Sequence, residues 1–365
     1  MSPHSPANAA PQSFAVILET YGEPAEAEFW PQFTYSYDIL RKLTRRLAPI
    51  PAWLLPWISY KRAKGRKAEW RAHQYSSPLE IIHRDFCAQL CARLAEGSPH
   101  RWTVQPGYLF RRPGLETAIL NALQRKPDRV FVVPMYSAES DFTHGLTRFA
   151  LDTLAGGNRE VRERVELVSF SRTVADERAL ASLMRDQIES ELRRHDAGDA
   201  AKWKREKWGL ALAAHGTVID KPHLHSGLRE TFRIYKALAT PFRDRFVSVL
   251  PGFLNHSGRG TWSRPNMVRT VELMKRRGVE RLVYYPFGFV ADNSETQLEV
   301  HHFVGGHDGH AGKCGAQHFA EFLHVPCLNN TPSLVNLIAG KLQTRLAGPA
   351  PHSQPAALAF PRLTA

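Results

Sequence analysis

The stretch that decides the fold reads Tyr284-Tyr-Pro-Phe-Gly-Phe-Val-Ala-Asp-Asn-Ser-Glu-Thr-Gln-Leu-Glu-Val300. It continues the apolar residues Leu282 and Val283, so a short run typical of a buried strand ends in a turn that contains proline and glycine. Four ionisable residues follow at helical spacing: Asp292, Glu295, Glu299 and His302. On a regular helix they would fall within a sector of about 80°. Such a stripe indicates either a cation path with acid–base groups or an ordinary solvated helix face.

Strand and helix patterns alternate along the rest of the chain. Short apolar runs predict strands at residues 14–18, 102–105, 130–133, 165–170, 210–214, 246–250 and 282–285. Helical periodicity predicts helices over residues 79–94, 115–124, 179–194, 227–238, 265–277, 314–322 and 333–345. This alternation is typical of parallel sheets that are covered by helices on both faces. Its restart near residues 176–210 predicts two similar halves.

We therefore predict an α/β fold with two similar, doubly wound lobes and a ligand cleft at the carboxyl ends of the strands. Residues 14–175 would form the first lobe, with an insertion at about 25–78. Residues 176–346 would form the second lobe, and its last helix could pack back on the first. The Pro- and Ala-rich segments 1–13 and 347–365 are expected to be disordered.

The chain has 365 residues and a formal net charge of +13, which favours anionic partners. No block of five like charges and no nucleic-acid-binding motif is present, so nucleic acid is not expected as a partner. The four cysteines, Cys87, Cys91, Cys314 and Cys327, form no C-x-x-C pair. This indicates a reducing compartment and no iron–sulfur cluster. Without an apolar leader or an 18-residue apolar run, a cytoplasmic location is predicted.

Within the insertion, residues 53–67 combine aromatic and basic residues. The segment begins with Trp53-Leu-Leu-Pro-Trp-Ile58 and ends with Lys61-Arg-Ala-Lys-Gly-Arg-Lys67. An aromatic group beside a cationic run resembles an interfacial segment that contacts the inner face of a membrane. A small hydrophobic cluster next to a solvated charge run is an equally good interpretation.

Two residues carry the strongest chemical signal. His215 follows the apolar run 210–214, and Glu295 lies in the opening stretch, so both come from strand ends of the same half. Both can therefore face one cleft, although a histidine at a strand end is often only a hydrogen-bonded loop residue. A borderline metal such as Fe²⁺ accepts carboxylate and imidazole together. Phosphate-loop, dinucleotide-binding and nucleophile-elbow motifs are absent, which excludes those nucleotide and serine-hydrolase templates.

Six stretches in order carry a family resemblance: residues 14–24, residues 76–79, the loop 134–145, Ala214-His-Gly216, Trp262-Ser-Arg-Pro265 and Gly288-Phe-Val-Ala-Asp-Asn-Ser-Glu-Thr296. The sequence here resembles the ferrochelatase family, whose members insert Fe²⁺ into a porphyrin at the end of haem synthesis. The resemblance covers most of residues 14–345. It implies two Rossmann-like lobes with parallel four-stranded sheets and a porphyrin in the cleft between them.

The resemblance also implies roles for individual residues. His215 would accept pyrrole protons, with Glu295 as its partner acid. The metal would meet His215, Glu295, Glu299 and Asp292. The porphyrin would contact Tyr21, Arg111, Arg112, Tyr136, Ser140, Thr143 and Trp262. Fe²⁺ would be a substrate, and no permanently bound cofactor is expected.

The chain departs from the family pattern at several positions. Asn293 replaces a histidine, His301 stands where an acidic residue is common, and Leu109 aligns with an arginine. His225-Ser-Gly-Leu228 replaces a Gly-Asp-Pro-Tyr stretch. Two alternatives therefore stay open: a non-catalytic tetrapyrrole-binding protein on the same fold, or a chelatase for another metal or tetrapyrrole. The sequence does not choose between protoporphyrin and coproporphyrin.

Overall fold

The computed structural model describes residues 11–47, 50–195, 201–255, 260–300 and 319–346. Its strands are β1 Ser13–Thr20, β2 Arg101–Tyr108, β3 Arg129–Pro134, β4 Val165–Leu167, β5 Trp208–His215, β6 Ser248–Leu254, β7 Arg281–Tyr285 and β8 Glu321–His324. Its helices are α1 Phe29–Leu47, α2 Leu55–Ala72, α3 Leu79–Ala95, α4 Leu115–Leu123, α5 His144–Gly157, α6 Arg159–Arg164, α7 Val174–His195, α8 Lys202–Arg205, α9 Leu228–Ala239, α10 Met267–Arg276, α11 Ser294–Gln297 and α12 Pro332–Leu346. Of the two segments predicted to be disordered, residues 1–10 and 347–365 lie outside the described ranges.

The strands form two parallel sheets of four, with the orders β2-β1-β3-β4 and β6-β5-β7-β8. The second sheet repeats the order of the first, which confirms the predicted α/β fold of two similar halves. In each sheet the second strand is added on one side of the first strand, and the later strands are added on its other side, so the strand order reverses between β1 and β3 and between β5 and β7. Ligands of open α/β sheets bind at the carboxyl ends of the strands at such a switch point. The residues that follow these four strands are therefore the candidates for a ligand site.

Apolar side chains alternate between the two faces of each central strand. In β1, Val16 and Leu18 belong to one hydrophobic cluster and Ile17 to another, and all three are fully buried. In β5, Leu210 and Leu212 belong to the same cluster as Val16. Burial of one such side chain stabilises a fold by about 1.5–3 kcal/mol. Because the lobes share this cluster, their strand ends hold a fixed relative position.

The end of the second lobe differs from the prediction. A helix was predicted over residues 314–322. For the part of this range that the structure describes, the prediction is wrong, because Glu321–His324 forms β8, an edge strand that pairs with β7. Four residues are too few for a strand pattern to be recognised in the sequence. Residues 314–318 lie outside the described ranges. The last helix, α12, packs against α3 of the first lobe, where Arg93 Nε donates to Asn336 Oδ1 over 2.6 Å.

The insertion forms α1 and α2, which pack against each other. Trp70 is buried near the end of α2, whereas Trp53 and Trp57 at its start are 76% and 56% exposed. Lys61 Nζ lies 3.8 Å from the centroid of the Trp57 ring. We call residues 53–67 the lip segment. None of the helices in the described ranges is long and apolar enough to cross a membrane.

Candidate active site

His215 is the last residue of β5 and is paired with Glu295. Its Nδ1 lies 2.5 Å from the carbonyl oxygen of Gly216, and its Nε2 lies 3.6 Å from Glu295 Oε2. A carbonyl can only accept a hydrogen bond, so Nδ1 carries a hydrogen and Nε2 of the neutral ring offers its lone pair. The side chains are 35% and 23% exposed, so a bound molecule can reach both. The two groups can hold one proton between them.

Glu295 owes its position to the start of α11. Asn293 is the N-cap: its Oδ1 accepts from the backbone N–H of Glu295 (2.9 Å) and of Thr296 (3.2 Å). Thr296 Oγ1 in turn accepts from the Asn293 N–H over 3.0 Å, which completes a capping box. Asparagine is among the best N-cap residues. The asparagine that departs from the family pattern therefore orients the proposed acid.

The acidic stripe predicted from the sequence does not form as one regular helix. That prediction is wrong because α11 begins only at Ser294 and ends at Gln297. Asp292 precedes it and is 2% exposed; it accepts hydrogen bonds from Asn329 Nδ2 (2.7 Å) and from the Cys327 N–H (3.2 Å). Its carboxylate thus joins two loops in the protein interior.

The four predicted metal ligands are not brought together as a group. Among the described residues, no three His, Cys, Asp or Glu side chains lie close enough to hold a metal ion. Of these four residues, His215 and Glu295 lie close to each other, with 3.6 Å between Nε2 and Oε2. Glu299 is half-buried beyond α11, and His302 lies outside the described ranges.

Gly288 allows the turn after β7 to lie directly on the end of β5. A Cβ at this position would lie 2.5 Å from Ala214 Cα and 2.9 Å from the backbone nitrogen of His215. Real side chains do not tolerate such distances to backbone atoms. The glycine therefore brings the following segment over His215, where the Phe289 ring centroid is 6.1 Å from the imidazole centroid.

Aromatic side chains of the first lobe form the other side of the candidate site. Tyr21 follows β1, and its ring centroid lies 4.7 Å from that of Tyr136 and 5.9 Å from that of Phe110. Burial raises the pKa of Tyr21 well above its usual value, and the negative charge of Glu295 adds to this effect. Tyr21 is therefore a neutral phenol that shares the region with Glu295.

Glu19, which the sequence analysis missed, is buried behind these tyrosines. Tyr136 Oη donates to Glu19 Oε1 over 2.6 Å, and Thr147 Oγ1 donates to the other carboxyl oxygen. Burial raises the pKa of Glu19 to about 7, although both hydrogen bonds act in the opposite direction. The signal was a charged residue that continues an apolar strand, since unpaired glutamates are almost never fully buried.

The loop 134–145 connects the two lobes. Ser140 Oγ and Thr143 Oγ1 share a hydrogen bond of 3.0 Å at the start of α5, so these two predicted porphyrin contacts partly satisfy each other. The Asp141 N–H donates to the His225 carbonyl, and the His225 N–H donates to Asp141 Oδ2, both over 2.8 Å. The segment 225–228, where the chain departs from the family, is thus held against this loop.

The remaining predicted contacts lie at different places. Arg111 donates to Glu80 Oε2 over 2.6 Å, while Arg112 is exposed. Leu109 is 2% exposed and belongs to the core of the first lobe. Trp262 is half-buried, and its backbone forms a bridge with Val218, three residues beyond His215. Trp262 thus pairs with a segment that closely follows His215, whereas Arg111 binds a glutamate of α3.

Comparison with known proteins identifies the family to which these features belong. The ferrochelatase family model matches residues 13–346. The ferrochelatases of Escherichia coli strains SMS-3-5 and S88 are each 25% identical over 297 residues, which are 78% of this chain and 82% of theirs. Among solved structures, SirB from Bacillus subtilis with Fe³⁺ aligns over 91% of this chain and 94% of its own, with 11% identity and a TM-score of 0.49.

Proposed function

Because the chain belongs to the ferrochelatase family, we propose that it inserts a divalent metal ion, with Fe²⁺ as the first candidate, into a porphyrin. The observation that carries this proposal is the His215–Glu295 pair, whose Nε2 and Oε2 atoms lie 3.6 Å apart at a strand end that solvent can reach. Insertion replaces the two pyrrole N–H protons of the porphyrin by one M²⁺ ion. The site must therefore accept two protons in each turnover.

In the proposed mechanism, His215 Nε2 accepts a pyrrole proton and Glu295 stabilises the imidazolium that results. The Gly216 carbonyl keeps the Nδ1 hydrogen in place, so Nε2 faces the cleft as the base. The proton can pass to the Glu295 carboxylate and then to water before the second is removed. Glu299 would extend the acidic side along which the cation arrives, since Fe²⁺ accepts carboxylate ligands.

The rings of Tyr21, Tyr136 and Phe289 would contact the flat apolar faces of the macrocycle. Aromatic pairs favour offset-stacked or edge-to-face arrangements, and each contributes about 0.5–1.5 kcal/mol beyond its buried area. Ser140, Thr143 and Trp262 are proposed as further porphyrin contacts. The first two lie in the loop that follows β3, and the backbone of Trp262 pairs with Val218, which follows β5.

A metallation assay tests this function. Purified protein is mixed with protoporphyrin IX or coproporphyrin III and with Fe²⁺, Zn²⁺ or Co²⁺, and absorbance reports the metalloporphyrin. His215→Ala and Glu295→Gln should each lower the rate by at least about 100-fold, the scale of general acid–base catalysis. His195→Ala is the matched control, because His195 Nε2 also lies 2.8 Å from a glutamate, Glu321, and its ring contacts Trp208, at the opposite end of β5 from His215. Absence of turnover with every pair would reject the proposal.

A second candidate is a tetrapyrrole-binding protein on the same fold that does not insert metal. The pairing of Arg111 with Glu80 and the burial of Leu109 favour it, because neither position then offers a guanidinium to the ring. It predicts saturable binding of porphyrin or haem by absorbance titration and no metalloporphyrin product. Turnover in the metallation assay would exclude it.

We propose further that the lip segment contacts the surface of an anionic membrane. Trp53 and Trp57 are exposed, and the basic residues Lys61 and Lys67 follow them on α2. Tryptophan prefers the membrane interface, and basic side chains bind anionic head groups. Cosedimentation with vesicles that contain phosphatidylglycerol should weaken by about tenfold in the double variant Trp53→Ser/Trp57→Ser. Equal binding of the double variant, or equal binding to pure phosphatidylcholine, would contradict this contact.

A further inference from the structure

Glu23 is a buried carboxylate that joins the two lobes next to the proposed acid. It lies in the turn after β1 and is 5% exposed. The Ser294 N–H donates to its Oε2 over 3.0 Å, and the Ser294 hydroxyl donates to its Oε1. Ser77, at the junction of the insertion with α3, donates from Oγ to Oε2 over 2.6 Å. One first-lobe carboxylate thus holds the residue that immediately precedes Glu295.

This contact completes the hydrogen bonding at the start of α11. The first N–H groups of a helix have no partner within the helix and need acceptors from outside. Asn293 supplies the acceptor for the N–H groups of Glu295 and Thr296, and Glu23 supplies it for that of Ser294. Two of the three acceptor bonds are local, and the third crosses between the lobes. That third bond, together with the bond from the Ser294 hydroxyl, ties α11 to the first lobe.

The carboxyl group of Glu23 is also influenced by a charged residue of the insertion. Burial raises the pKa of Glu23, and the positive charge of Arg66, on α2, acts in the opposite direction. Arg66 itself donates to Gln32 Oε1 over 3.2 Å. Glu23 therefore contacts Ser77 and the start of α11 directly and is influenced by the charge of Arg66 on α2. The family resemblance did not single out this residue.

We propose that Glu23 is a positioning residue that fixes the start of α11 against the first lobe and so holds Glu295 opposite His215. The inference rests on the proposed function, because positioning matters for the reaction only if this pair performs it. Misplacing a reacting group by about 1 Å can cost about 100-fold in rate. Glu23 does not touch the pair itself, so its removal should cost less than removal of Glu295.

The test compares Glu23→Gln with Ser294→Ala and their double variant. Glutamine keeps the size of the side chain but loses the charge, and hydrogen bonds to a charged acceptor are about twice as strong as neutral ones. Its NH2 group also takes one of the two acceptor positions. We expect kcat for metallation to fall by about tenfold in Glu23→Gln and by about threefold in Ser294→Ala, with KM for the porphyrin changed by less than about threefold. The double variant should be no slower than Glu23→Gln, because both changes break the same contact. Hydrogen exchange of the peptide 294–300 should be faster in each.

Glu177→Gln is the matched control. Glu177 is another buried glutamate, which accepts from Arg233 Nε over 2.6 Å and lies on α7, away from α11. Its replacement should lower stability without changing kcat per folded molecule or the exchange of residues 294–300. A variant that loses activity only through general destabilisation would behave like this control.

The outcomes separate this inference from the proposed function. If Glu23→Gln keeps kcat within about twofold, or loses kcat with unchanged exchange at 294–300, the positioning role is refuted. If Glu23→Gln does not fold, unchanged kcat and exchange in Ser294→Ala refute it. If the wild-type protein shows no turnover, the proposed function fails on its own. The exchange of residues 294–300 then still decides whether Glu23 fixes α11.

Discussion

Replacement of Glu19 by glutamine should remove one defined part of the pH dependence of the protein's stability. Burial raises the pKa of Glu19 from 4.5 to about 7, so the folded state keeps a proton that the unfolded chain releases between these values. Stability then falls as pH rises from about 4.5 to about 7 and levels off above, because the slope follows the difference in bound protons. Glutamine resembles the protonated acid and does not titrate.

The magnitude follows from the two pKa values. At about 1.36 kcal/mol per pKa unit, the difference between 4.5 and about 7 amounts to about 3 kcal/mol. The Glu19 side chain is fully buried, so solvent does not screen this energy. The free energy of unfolding of Glu19→Gln minus that of the wild type should therefore increase by about 3 kcal/mol between pH 4.5 and pH 8.

Urea denaturation of both proteins at pH 4.5, 6, 7 and 8 measures this difference. Comparison of the two proteins at each pH cancels the titration of all other groups. The glutamine amide can accept from Tyr136 and donate to Thr147, so both hydrogen-bonding positions of Glu19 stay occupied. A difference that is constant within about 0.5 kcal/mol over this range would refute the reasoning, since it would mean that folding does not raise the pKa of Glu19.

Two further predictions concern the backbone around the site. Gly288→Ala should destabilise the protein by about 1–3 kcal/mol in urea denaturation, because its Cβ would overlap Ala214. Gly340→Ala, in an open part of α12, should instead stabilise it by about 0.5–1 kcal/mol; equal effects of the two changes would contradict the overlap. Asn293→Ala should cost about 1 kcal/mol and slow metallation, whereas Asn266→Ala, which removes the N-cap of α10, should cost about as much without slowing it. Equal rates in the two cap variants would contradict the role of Asn293.

The sheets could be predicted because they are buried on both faces. Runs such as residues 14–18 and 210–214 are apolar without interruption, which is the pattern of a strand covered on both faces. The repetition of this pattern after residue 176 was enough to predict two similar lobes. The edge strand β8 could not be predicted in the same way, since its four residues are only partly buried.

The residue types of the candidate site could be predicted from the sequence, but the orientation of their side chains could be predicted less well. The position of His215 at the end of β5 follows from the strand itself. The direction of Asp292 does not, because it depends on where α11 begins and on Asn329, 37 residues further along the chain. Asn293 is a preferred N-cap residue and was a usable signal that a helix could begin after it rather than at Asp292.

The contacts of Glu23 could not be predicted from the sequence for a different reason. Its partners Ser77 and Ser294 are 54 and 271 residues away in the sequence, so no local pattern marks the contact. A carboxylate in a Gly-x-Pro turn at the carboxyl end of a central strand could at most indicate a group near the cleft. The contact itself is a property of how the lobes pack.

The central claim is that His215 and Glu295 act as one unit in metal insertion, and a double-mutant cycle on the metallation rate tests it most directly. The rates of wild type, His215→Ala, Glu295→Gln and the double variant are measured with the same porphyrin and metal. Residues that act as a unit have strongly non-additive effects. The double variant should therefore be about as slow as His215→Ala alone, roughly 100-fold below wild type or more. Independent effects that multiply in the double variant, or a single variant at the wild-type rate, would contradict the claim.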